Sequence, residues 1–133
     1  VNGQQVGRGP VRSWPFEQAY DTYEVGHLLK PGENVIAVLV LHFGISTFYY
    51  MRGRGGLLAQ LDLLAHDTAA AIVTTDATWR THRYLAQHPG APRMVCQQAF
   101  AEQIDARLSD EAWITPSFDD RATPRTCAAA SAT

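Results

Sequence analysis

Apolar stretches in this chain are short, and turn residues interrupt them at close spacing: Asn2-Gly3, Gly7 to Pro10, Trp14-Pro15, Pro31-Gly32, Gly53 to Gly56, His66-Asp67, His88 to Pro92 and Pro116-Ser117. Between these breaks the pattern predicts strands over residues 21–25, 35–43, 47–51, 57–64, 70–75, 79–84 and 94–100. The run from Val35 to Phe43 reads Val-Ile-Ala-Val-Leu-Val-Leu-His-Phe. It is rich in β-branched residues and too short for a helix that crosses a bilayer, so it is expected to be a strand covered on both faces. Pro31 presets φ for a tight turn before it, and Gly32 supplies the positive φ that a type II turn requires. Residues 57–64 alternate over their second half, the mark of a half-buried antiparallel strand. No apolar periodicity of helical spacing lasts three turns, although residues 97–108 are compatible with a short helix. The expected class is all-β, an antiparallel jelly-roll-like β-sandwich.

The chain has 133 residues, 46% of them hydrophobic, enough for one domain with a core. A formal net charge of −2 and a pI near 6.2 provide no broad field for nucleic acid or an anionic membrane surface, and neither is an expected partner. Cys96 and Cys127 form neither a CxxC nor a disulfide framework, which leaves compartment open. Val1-Asn2-Gly3 reads as a strand end entering a hairpin turn. From residue 122 to residue 133 there is neither aromatic residue nor apolar period, so the expected division is a sandwich fragment over 1–121 and a disordered tail over 122–133.

Arg52-Gly53-Arg54-Gly55-Gly56 matches neither GxGxxG before a helix nor GxxxxGK[ST], and glycines between strands are what a hairpin needs. The five histidines, His27, His42, His66, His82 and His88, contain no pair at metal-ligand spacing, and neither metal nor cofactor is expected. Glu102, Asp105, Asp110, Glu111, Asp119 and Asp120 are the carboxylates a glycosidase would draw on, but nothing in their spacing makes two of them converge across a sugar bond. No catalytic residue is assigned. The aromatic set is more informative, because a ring stacks on the apolar face of a pyranose while a neighbouring polar side chain bonds its hydroxyls. Candidate carbohydrate-binding residues are Trp14, Tyr20, Asp21, Tyr23, Tyr49, Tyr50 and Trp79; the competing role for the rings is core or interdomain packing.

Four groups of residues carry a family resemblance. They are Val1-Asn2-Gly3 with Val6-Gly7; Tyr20-Asp21-Thr22-Tyr23; Leu28-Leu29-Lys30-Pro31-Gly32-Glu33-Asn34-Val35-Ile36-Ala37-Val38; and Gly53-Arg54-Gly55-Gly56-Leu57-Leu58-Ala59-Gln60-Leu61. Thr75-Asp76-Ala77-Thr78-Trp79-Arg80, Ile104-Asp105-Ala106-Arg107 and Ser117-Phe118-Asp119-Asp120 continue the same order. The pattern resembles the N-terminal, galactose-binding-like β-sandwich region of bacterial α-L-rhamnosidases. Its earlier elements also resemble the sugar-binding sandwich of β-galactosidase and β-mannosidase type glycosidases.

The rhamnosidase resemblance implies a parent glycoside hydrolase that cleaves terminal α-L-rhamnose with an inverting carboxylate pair in a separate (α/α)6 barrel. For this chain it implies a non-catalytic accessory sandwich that binds carbohydrate or packs on the catalytic domain. The implied partners are the rest of the parent enzyme, its barrel and neighbouring sandwiches, and rhamnosylated carbohydrate. A structural sandwich without sugar affinity is the alternative. The family pattern sets a Trp soon after Phe-Asp-Asp, where this chain has Arg121-Ala122-Thr123, so a truncation or frame change at that point is an expectation.

Overall fold

The computed structural model describes residues 1–14, 16–48, 50–65, 68–98 and 100–121. Its regular backbone is one antiparallel pair, β1 (Gln60–Ala65) and β2 (Thr68–Thr74), with short 3-10 turns at Gly26–Leu28, Ala106–Leu108 and Ala112–Ile114. Gln60 pairs with Thr74, Leu61 with Val73, Asp62 with Ile72 and Leu63 with Ala71; the register then shifts between Leu63 and Leu64. Leu61, Leu63, Val73 and Ala71 therefore share one face, as the sequence alternation requires. The Thr75 N–H donates to the Ala59 carbonyl at 3.0 Å and carries the pairing one step beyond the strands. This is a mostly β arrangement, a two-stranded antiparallel sheet consistent with an incomplete β-sandwich.

The other expected strands form no continuous ladder among the described residues. Residues 21–25 and 35–43 have no ladder assignment, 47–51 contributes the single bridge Thr47↔Tyr50, and 94–100 contributes Arg93↔Phe100. A strand is completed by its neighbour's N–H and C=O groups, so β-propensity alone does not produce one. The short helix with which 97–108 is compatible is limited to the turn Ala106–Leu108 for the same reason. Its upstream backbone is committed elsewhere: Ala101 donates to Pro92 at 2.9 Å, His88 to Gln103 at 2.8 Å and Asp105 to Ala86 at 2.8 Å. These bonds fold 86–93 against 100–105, and the close crossing covers Ala86, which is 1% exposed. The turn expected at His66-Asp67 and the tail over 122–133 lie outside the described residues.

Local turns follow the sequence closely. Gly32 takes φ +91°, and Asn2 and Gly3 take φ +50° and +83°, the left-handed conformations that Gly and Asn tolerate best. Asn34 then ties the turn together. Its Oδ1 accepts the Lys30 N–H at 2.9 Å, and its Nδ2 donates to the carbonyls of Lys30 at 2.8 Å and Gly32 at 3.0 Å. Asn2 Nδ2 donates to the same Asn34 Oδ1 at 2.8 Å and to the Leu28 carbonyl at 2.9 Å. The Val35 N–H donates to Asn2 Oδ1, and the Asn2 N–H to the Val35 carbonyl, both at 2.9 Å.

Beyond Val35 the chain departs from expectation. Val38, Leu39, Val40 and Leu41 are all exposed, between 42% and 59%, so neither face of the run is covered. Only at its end does it find partners: the Phe43 ring meets Tyr50 edge-on at 5.3 Å and Phe100 at 5.7 Å. Among the described residues the only buried apolar side chains are Ala86 and Ala91.

Asn34→Ala removes four hydrogen bonds at once, each worth roughly 0.5–1.5 kcal/mol net and less where solvent competes. Amide exchange at Lys30 and Val35 is expected to accelerate by roughly tenfold or more, with exchange at the β1–β2 amides unchanged.

Candidate functional site

Around Asp21 and Tyr23 the backbone of Gly7 to Gly9 runs close against the side chains. The Tyr23 hydroxyl donates to Asp21 Oδ2 at 3.1 Å and lies 3.4 Å from the Arg8 carbonyl. A Cβ at Gly7 would strike the Tyr23 ring, and one at Gly9 would strike the Asp21 carboxylate, so a side chain at either position would displace these groups. Partial burial, and then the Asp21 carboxylate as acceptor and as neighbouring charge, push the Tyr23 phenol above its ordinary range. Tyr20, next in sequence, is 85% exposed.

The remaining candidates lie elsewhere. The Trp14 ring stacks on Phe16 at 6.1 Å, in a turn closed by the Glu17 N–H donating to the Trp14 carbonyl at 3.0 Å. Tyr50 belongs to the Phe43 cluster, with its hydroxyl 2.7 Å from His42 Nδ1. Trp79 folds back on β2, its Nε1–H donating to the Thr74 carbonyl at 3.0 Å. Tyr49 lies outside the described residues. Asp21 and Tyr23 are thus joined directly, while Trp14, Tyr50 and Trp79 sit in separate surroundings.

An open groove of about 2730 Å³ lies on the surface. Residues 34–43 and 54–58 form much of its lining, Leu61, Leu63 and Val73 bring in the sheet, and Tyr20 and Trp79 stand on its wall. Ligand pockets for small molecules are roughly 300–1,000 Å³ and carry a few converging polar groups. This groove is several times larger and runs along the uncovered apolar segment.

Four of the six candidate carboxylates, Asp105, Asp110, Asp119 and Asp120, hold structural partners. Asp105 accepts the Arg107 N–H at 3.0 Å and its Nη2 at 2.7 Å, and Asp119 holds Arg121 in the same way at 3.1 and 2.6 Å. In both, the hydrogen bond from the arginine side chain, then that from its backbone, holds the carboxyl below the ordinary carboxylate range. Asp110 caps the Ala112 N–H at 2.8 Å, and Asp120 pairs with Arg80 at 2.8 Å. The Arg80–Asp120 pair joins positions far apart in the chain, and no short-range sequence signal announces it. Among the described residues no group of three or more His, Cys, Asp or Glu side chains could hold a metal.

Comparison with known proteins gives one family. The model of the α-L-rhamnosidase N-terminal domain matches residues 1–132. An α-L-rhamnosidase of Streptomyces avermitilis is 29% identical over 132 residues, covering 92% of this chain and 12% of that protein. The crystal structure of a GH78 family rhamnosidase of Bacillus sp. GL1 is similar with TM-score 0.76 and 52% identity, over 93% of this chain and 13% of that one. The chain spans about an eighth of the length of these relatives.

Asp21→Asn is expected to lower the Tyr23 ionisation point toward the ordinary tyrosine value without reaching it, because the effect of burial remains. Phenolate absorbance during an alkaline titration reads this. A raised phenol contributes stability below the ordinary tyrosine range that is lost as pH rises through the shifted value; the depressed Asp105 and Asp119 contribute stability that is lost as pH falls through theirs. Gly9→Ala displaces the Asp21 carboxylate and should shift the Tyr23 titration in the same direction as Asp21→Asn.

Proposed function

The chain belongs to the α-L-rhamnosidase N-terminal domain family, and from that premise we propose that it is a non-catalytic packing module of a multidomain rhamnosidase-like glycoside hydrolase. Its role is to dock, through the groove beside residues 38–41, on the remainder of the parent enzyme, the catalytic barrel and neighbouring sandwiches included. The observation that carries this is the exposure of Val38, Leu39, Val40 and Leu41 on both faces of one segment. Monomeric domains rarely present so continuous an apolar surface, and such patches mark protein contacts.

A monosaccharide is too small to cover an apolar segment of this length. The described residues form strands, bridges and 3-10 turns, so a helical barrel is not among their elements. Hydrolysis of terminal rhamnose would fall to the parent enzyme's other domains.

A second reading, carbohydrate binding, draws on Tyr20 and Asp21: an almost fully exposed ring beside a carboxylate can stack on a sugar and bond its hydroxyls. Tyr23 adjoins them through its bond to Asp21; Trp14, Tyr50 and Trp79 would serve as separate contacts, and Tyr49 is the remaining candidate.

Mixed with the parent enzyme lacking this domain, the chain is expected to form a stable one-to-one complex by analytical ultracentrifugation. Leu39→Asp with Leu41→Asp should weaken it by at least roughly a hundredfold, since each buried leucine is worth about 1.5–3 kcal/mol. Rhamnose titration should leave the tryptophan fluorescence of the isolated chain unchanged, and an aryl rhamnoside should not be turned over. Failure to form that complex would contradict docking; a saturable rhamnose response lost in Tyr20→Ala would establish the carbohydrate reading.

A further inference from the structure

Asn2 precedes Gly3, the residue that least hinders attack of its own backbone nitrogen on the preceding side-chain amide. The surroundings of Gly3 are open: the nearest heavy atom to a Cβ built there is Thr115 Cγ2 at 4.0 Å. Yet the Asn2 amide is held at both ends, its Nδ2 by the Leu28 carbonyl and Asn34 Oδ1, its Oδ1 by the Val35 N–H. Rotation that brings Cγ to the Gly3 nitrogen must break these bonds. We propose that Asn2 is a deamidation site gated by the Asn2–Asn34 clamp, silent while the clamp is closed and converted when it opens.

The Gly3 backbone nitrogen forms a bond to Asn2 Cγ and loses its proton. The Cγ–Nδ2 bond breaks, and Nδ2 takes up that proton and leaves as ammonia. Water then opens the cyclic imide at either carbonyl, leaving aspartate or isoaspartate at position 2. The product cannot restore the clamp. A carboxylate only accepts hydrogen bonds, so it would face the Leu28 carbonyl and Asn34 Oδ1 acceptor against acceptor, and isoaspartate also lengthens the backbone. Conversion therefore records opening in one direction and frees the start of the 35–43 segment. The gate rests on hydrogen bonds within the chain and not on docking, so either proposal can fail alone.

Peptide mapping by mass spectrometry after mildly alkaline incubation reads the amide, aspartate and isoaspartate forms of residue 2. Asn34, the chain's other asparagine, precedes β-branched Val35 and is the internal reference. Conversion at Asn2 is expected to be roughly tenfold or more slower in the native chain than in the urea-unfolded chain, from the bonds that must open. Asn34→Ala should move the native rate toward the unfolded one. As a measurement independent of that variant's folding, sub-denaturing urea should raise the wild-type rate in parallel with Val35 amide exchange. Equal rates in native and unfolded chains, or no conversion in either, would overturn the proposal. So would Asn2→Asp protecting the Val35 amide as well as wild type does.

Discussion

Asn34 gives both ends of its amide to the turn that it closes and still shares its oxygen with Asn2, 32 positions earlier in the chain. That pairing determines how the apolar segment leaves the turn, because Val35 is the residue whose N–H and C=O both meet Asn2. The start of the apolar segment is thus fixed by two side-chain amides and not by a packed core. Side-chain amides suit this because each carries donors and acceptors on one rigid plane.

With so little buried, the polar contacts have an uncommon share of the structural work. Asp105 with Arg107 and Asp119 with Arg121 repeat one device, a carboxylate that accepts both the backbone and the guanidinium two residues on. Exposed pairs of this type contribute little stability individually. They hold local shape at the chain's edges while the apolar interior stays open. Burial, ordinarily the largest favourable term, is small among the described residues.

The turn chemistry was legible in the residues: Gly32 and Asn2-Gly3 take the positive φ that their types announce. So were β1 and β2, whose alternation survives as a shared face in the observed register. Residues 97–108 show the limit of such reading. Their composition permits a helix, but hydrogen bonds from Ala101 to Pro92 and from Asp105 to Ala86 use the backbone otherwise. The aromatic candidates show a similar limit, for residue type told that rings were available and nothing about convergence. Asp21 and Tyr23 meet because they are two residues apart; Trp14, Tyr50 and Trp79 each found nearer partners.

By itself the sequence determined what acts over a few residues: where the turns lie, which segments favour extended backbone, and the ordered landmarks by which the family was recognised. Tertiary structure alone decided which apolar faces are covered and which side chains meet. The physical reason is range. A φ preference or an Asx cap is settled among neighbours within the chain, whereas burial of residues 38–41 depends on surfaces remote in sequence, and here no such surface covers them.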